Sequence, residues 1–128
     1  MNEPGAVHSI DEILATARAR LDRVQPADLE NERIDGALIV DIRPIEQRVR
    51  DGELPDAVII DRNVLEWRLD PACDFHLPPI SSYDTRIVIV CNEGYSSSLA
   101  AAMLHDLGLH RATDLIGGYQ AWLAIRTT

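Results

Sequence analysis

Lysine is absent from this 128-residue chain, and all twelve basic residues are arginine. That excludes every mechanism built on a lysine Schiff base or a lysine amine nucleophile. Cysteine is scarce: Cys73 and Cys91 offer neither a disulfide framework nor a metal-binding spacing, and both thiols are expected to be reduced. The first twenty residues carry Glu3, His8, Asp11, Glu12, Arg18 and Arg20, so they contain no apolar signal core. No later apolar run is long enough to span a bilayer, and a cytoplasmic location without a membrane partner is expected. An excess of positive charge is missing as well. The formal charge of −9 argues against nucleic acid and anionic membrane partners, which clustered positive charge would attract.

What is present is enough for one domain with its own core. The most informative stretch is Cys91-Asn92-Glu93-Gly94-Tyr95-Ser96-Ser97-Ser98. It follows Ile87-Val88-Ile89-Val90, a run that reads as a buried strand of a parallel sheet. It precedes Leu99 to Leu107, rich in Ala and Leu and stopped by Gly108, which reads as a helix. A cysteine between a strand end and a helix start faces unpaired amides and the positive end of the helix dipole, a setting that favours a thiolate. Gly94 allows the loop to curl so that amides point inward. The plainer alternative is a small buried cysteine that ends a strand.

Elsewhere the chain alternates strands and helices. Met1 to His8 reads as a tail, and Ser9 with Glu12 forms a capping box for a helix ending near Arg20 or Asp22. Arg23-Val24-Gln25 reads as a short edge strand, and Pro26 opens a second helix running to about Ile34. Ala37 to Val40 is a strand ending in Asp41-Ile42-Arg43, at the end of the sheet where α/β proteins build sites. A crossover with Gly52 and Pro55 leads to a third buried strand, Ala57 to Ile60, then a short helix from Arg62 to Leu69. A long loop over residues 70–85 precedes the cysteine strand. Arg111 to Leu115 forms the last strand, and a double glycine turns it into a helix carrying Trp122 and Leu123 inward. The alternation implies a parallel sheet with helices on both faces.

Four motifs in this order resemble a rhodanese-like domain. They are Asp41-Ile42-Arg43, similar to the family's D-x-R, and Asp51 to Ala57, similar to its G-H-I-P-G-A. Cys91 to Ser97 resembles the active loop C-x-x-G-x-R-S, and Gly117 to Trp122 the terminal G-G-x-x-x-W. The resemblance implies a three-layer α/β/α sandwich around a five-stranded parallel sheet. It covers about residues 23 to 126. The expected division is a tail and extra helix over 1–22 and the rhodanese-like domain over 23–128. It also implies that Cys91 carries sulfane sulfur as a persulfide between a donor and a thiol or protein acceptor; apart from the resemblance, no cofactor is expected, and the chain is expected to be a monomer or homodimer. The loop residues Asn92, Glu93, Gly94, Tyr95, Ser96 and Ser97 are then the substrate-binding site, supported by Asp41 and Arg43.

Two departures bear on substrate. Ser96 stands where the family's loop carries arginine, and Glu53 and Asp56 replace its usual His and Gly. Serine donates one neutral hydrogen bond, whereas an arginine fork gives an oxyanion charge-assisted ones roughly twice as strong. Weak use of thiosulfate is therefore expected, and a Cys-loop phosphatase or arsenate reductase is disfavoured for want of a cation. A noncatalytic binding module remains the alternative. Arg43 either supplies part of the missing field or braces the loops by pairing with Asp41, and bracing is preferred. Tyr95 is expected at the pocket mouth, with Ser97 and Ser98 capping the helix or donating to sulfur. Trp67 is expected to pack on the core or form a pocket wall, and Cys73 to be a spectator or a resolving thiol. The four histidines are assigned no role.

Overall fold

The structure is a computed structural model describing residues 6–126, so most of the expected tail lies outside the described residues. Helix α1 (Ile10–Ala19) starts as the sequence dictates. The Ser9 hydroxyl accepts from the Glu12 amide, and the Glu12 carboxylate accepts from the Ser9 amide. A 3₁₀ turn at Pro26–Asp28 leads into α2 (Leu29–Ile34), then β1 (Leu38–Asp41) and α3 (Ile45–Asp51). After β2 (Val58–Ile59) come a second 3₁₀ turn and α4 (Leu65–Leu69). The chain finishes with β3 (Ile87–Val90), α5 (Ser96–Asp106), β4 (Ala112–Asp114) and α6 (Gly118–Arg126). No helix of the described residues is long and apolar enough to cross a membrane.

The sheet is parallel throughout, in the order β2-β1-β3-β4. Four strands form it among the described residues, one fewer than expected. The missing edge strand is reduced to a single bridge between Val24 and Leu115, because Pro26 starts the next turn at once. The strand expected over residues 57–60 also shrinks. Only Val58 and Ile59 pair, and Ile59 is half-exposed, so this is a sheet edge and its aliphatic run does not mark burial on both faces.

Strand β3 lies in the centre and is fully buried. Its residues alternate between two cores, as period-two geometry requires. Ile87 and Ile89 join Leu65, Leu69, Ala100 and Leu104 from α4 and α5 on one face. Val88 and Val90 join Leu29, Tyr119 and the partly buried Trp122 from α2 and α6 on the other. The two layers hold the end of β3 rigidly, with the starts of α5 and α6 beside it.

Candidate active site

Cys91 follows β3 directly and begins the loop that enters α5. Its Sγ accepts hydrogen bonds from the Gly94 amide at 3.1 Å and the Ser97 amide at 3.4 Å, and lies 3.2 Å from the Ser97 hydroxyl. The sulfur therefore sits in a cradle of backbone donors at the positive end of an eleven-residue helix. Such a cradle stabilises negative charge on the sulfur or on an atom bonded to it.

Glycine makes the cradle possible. Gly94 adopts φ +86°, and a Cβ there would stand 2.7 Å from the Gly117 nitrogen. Gly118 packs as closely from the other side. A Cβ on it would lie 2.5 Å from the Cys91 carbonyl oxygen, where the neighbouring Tyr119 amide donates at 2.8 Å. The Gln120 amide donates to the Asn92 carbonyl, and the Gln120 side chain to Asn92 Oδ1. The double glycine thus lets the first turn of α6 grip the front of the cysteine loop.

A cleft of about 270 Å³ opens at the sulfur. Cys91, Asn92, Glu93, Tyr95 and Ser96 form one side, and Ile42, Arg43, Pro44 and Gln47 the other. Tyr95 is exposed at this mouth. Gly94 and Ser97 face the sulfur from within the loop and do not line the cleft. Asp41 is buried behind Arg43 and binds it through both oxygens, with Nη2 to Oδ2 at 2.8 Å. Arg43 also donates to the Gly52 carbonyl and stacks 3.7 Å from the Tyr119 ring centroid. Its Nη1 has no hydrogen-bond partner among the described residues. This arginine braces two loops and the start of α6, and its charge is already matched.

Three residues that the sequence reading passed over complete the site. Asp114, at the end of β4, is fully buried and accepts from the hydroxyls of both Ser97 and Ser98 at 2.7 Å. Arg23 binds it bidentately, Nε to Oδ1 at 2.8 Å and Nη2 to Oδ2 at 3.1 Å. Arg18, on α1, donates to the Gly94 carbonyl at 2.7 Å and to the Ser98 hydroxyl at 3.1 Å. The one available signal was for Asp114, an acid at a strand's C-terminal end like Asp41. Both serines accordingly donate to a buried carboxylate, Ser97 also accepts from the Cys91 thiol, and Ser98 does not cap α5.

Trp67 belongs elsewhere. It is mostly exposed and borders a separate small cleft with Cys73, so it neither packs in the core nor walls the Cys91 cleft. Cys73 does not line the Cys91 cleft. His8, His76, His105 and His110 each meet partners away from Cys91.

Known proteins resemble this chain along most of its length. The model of the rhodanese-like domain matches residues 25–125. The chain is 30% identical over 102 residues to the thiosulfate sulfurtransferase GlpE of Pseudomonas savastanoi, covering 80% of this chain and 87% of that one. It is 32% identical to the adenylyltransferase and sulfurtransferase UBA4 of Candida albicans over 78% of its length, but spans only 23% of that longer protein. Among solved structures, a Rhodopseudomonas palustris protein of unknown function, possible tyrosine phosphatase, superposes with TM-score 0.83 at 29% identity. That match covers 98% of this chain and 96% of the other. The human single-domain sulfurtransferase TSTD1 superposes with TM-score 0.66 at 26% identity, over 80% and 95% of the two chains. With the family model spanning most of the sequence and a parallel α/β sheet delivering a cysteine into an amide cradle, the chain belongs to the rhodanese-like domain family.

Proposed function

We propose that this chain is a sulfurtransferase that carries sulfane sulfur as a persulfide on Cys91 and passes it to a thiol acceptor, in the cytoplasm. The observation carrying the proposal is Cys91 at the wall of a cleft, its sulfur held by two backbone amides at the start of α5. The sulfurtransferase relatives support the reaction class. In the first half-reaction the Cys91 thiolate attacks the outer sulfur of a donor persulfide. A new S–S bond forms as the donor's S–S bond breaks, and its electron pair leaves on the donor thiolate. In the second, an acceptor thiolate attacks the outer sulfur, and Cys91 departs as thiolate. Sulfur moves with no net oxidation. The outer sulfur's charge is met by the loop amides of residues 92 to 97, at the positive end of α5.

The cleft's electrostatics support a thiol or protein persulfide as donor over free thiosulfate. Arg43 is the one arginine lining it, and Asp41 already neutralises that charge, while Glu93 stands exposed at the mouth. A dianion entering this cleft meets one uncompensated negative charge and no uncommitted cation. The same shortage argues against a phosphatase, whose transferred oxyanion needs a cation at the place Ser96 occupies.

Intact-protein mass spectrometry after polysulfide treatment tests the proposal. Wild type is expected to gain one sulfur atom on Cys91, and Cys91→Ser to gain none there. A wild-type protein that acquires no persulfide would favour the noncatalytic binding module.

A further inference from the structure

The carbonyl of Gly94 accepts from two guanidinium groups, Arg18 Nη2 at 2.7 Å and Arg23 Nη2 at 3.1 Å, while the Ser98 hydroxyl, whose proton goes to Asp114, stands 3.4 Å away. Two charged donors on one loop carbonyl are more than satisfying a buried oxygen requires. Both arginines precede residue 25, ahead of the segment that the family model matches. Neither lines the cleft at Cys91, so neither is placed to touch a substrate there.

We infer that Arg18 of helix α1, with Arg23, is a positioning residue for the Cys91 loop, supplying from behind it the charge that Ser96 cannot supply from in front. This deepens the sulfurtransferase reading and rests on it. Geometry gives the first reason. The N–H of a trans peptide points opposite to its carbonyl, so fixing the Gly94 carbonyl on the arginines turns the Tyr95 amide to the other side of the loop. The guanidinium of Arg18 also lies 5.4 Å from the Tyr95 ring centroid, holding that residue from its outer side.

Charge gives the second. Facing the loop from α1 and the segment after it are Arg18 and Arg23, and from β4 comes Asp114. From the end of β1 comes the Asp41–Arg43 pair, and the loop itself carries Glu93. The Asp41–Arg43 pair is neutral. Two guanidinium charges against the single Asp114 carboxylate leave one positive charge behind the loop, while the solvent side carries Glu93. A cation placed there stabilises anionic sulfur on Cys91 without offering a free oxyanion site at the mouth.

The test uses a Cys73→Ser background, so that Cys91 alone reports. The pH profile of Cys91 alkylation by iodoacetamide is measured for Arg18→Gln, Arg18→Lys and Arg20→Gln. Arg20 caps the same helix but pairs with Asp106, with no hydrogen bond or ion pair to the loop among the described residues. In Arg18→Gln alkylation on the rising limb of the profile is expected to slow about threefold, with the high-pH plateau unchanged. Its persulfide-to-thiol transfer should slow about fivefold. Arg18→Lys, which keeps the charge, should return the profile most of the way, and Arg20→Gln should superimpose on the parent. Far-UV circular dichroism checks that each variant is folded. An Arg18→Gln profile that superimposes on the parent overturns the inference, as does an Arg20→Gln or Arg18→Lys profile shifted as far as that of Arg18→Gln. If polysulfide fails to load Cys91 in the parent, the sulfurtransferase reading falls, but the alkylation profiles still decide the role of Arg18.

Discussion

Asp114→Asn is expected to destabilise the protein by about 3 kcal/mol, the cost of leaving one member of a largely buried ion pair without its partner. The arrangement leaves an amide no good orientation. With its oxygen toward Ser97 and Ser98, its NH₂ faces Arg23 Nε, a donor against a donor. Turned round, its NH₂ faces two hydroxyls that donate in the native protein, and the Ser98 oxygen already accepts from Arg18. For a domain of this size the loss corresponds to a fall in Tm of about 10 °C. Because the Ser97 hydroxyl also touches Cys91 Sγ, sulfur transfer per folded molecule should fall as well. Calorimetry of wild type, Asp114→Asn, Arg23→Met and the double variant checks this. A coupling energy near zero between the two sites would show that the pair is not a unit.

Beyond its place at the C-terminal end of a strand, nothing in the chain marks the importance of Asp114. Its partners lie 91, 17 and 16 residues away, and a lone acid between Thr113 and Leu115 carries no periodic signature of burial. Arg18 escaped for a similar reason, since an arginine in the last turn of a helix is accounted for locally by the dipole. What was legible is local. The Ser9 capping box, Pro26 at the head of its turn, the aliphatic run of β3 and the cysteine at its end are each decided by neighbours within a few residues. The double glycine was legible as a turn. That Gly118 lets α6 close on the Cys91 carbonyl needed the third dimension.

The strand errors have the same origin. Ala57 to Ile60 and Ile87 to Val90 are equally aliphatic, yet one sits at the sheet edge with Ile59 half-exposed and the other in its centre. Composition marks a strand without giving its place in the order. The family resemblance set five strands, and here the first is cut to one bridge by the turn that Pro26 begins.

Ser96→Arg is expected to raise kcat/KM for thiosulfate by at least about tenfold, a factor worth 1.4 kcal/mol and within the range of one charge-assisted hydrogen bond to an anion. Position 96 suits the change. Ser96 is exposed, lines the Cys91 cleft and is the first residue of α5, so an arginine side chain has room and buries no unpaired charge. At the head of α5 the new cation opposes the helix dipole, a cost of about 0.3 to 1 kcal/mol that is smaller than the expected gain. Glu93, three residues earlier and exposed at the same mouth, would compete for the new guanidinium, so Ser96→Arg with Glu93→Gln should exceed Ser96→Arg alone. Most of the gain should appear in KM, because the added cation meets the sulfonate group in the ground state as well as in the transition state. The gain should shrink as ionic strength rises, since the interaction is solvent-facing. Thiosulfate-dependent transfer to cyanide, compared with transfer from a neutral persulfide donor, separates this effect from general loop repair. If both donors improve equally, Ser96 does not set donor charge selectivity, and the missing cation is not what keeps thiosulfate out.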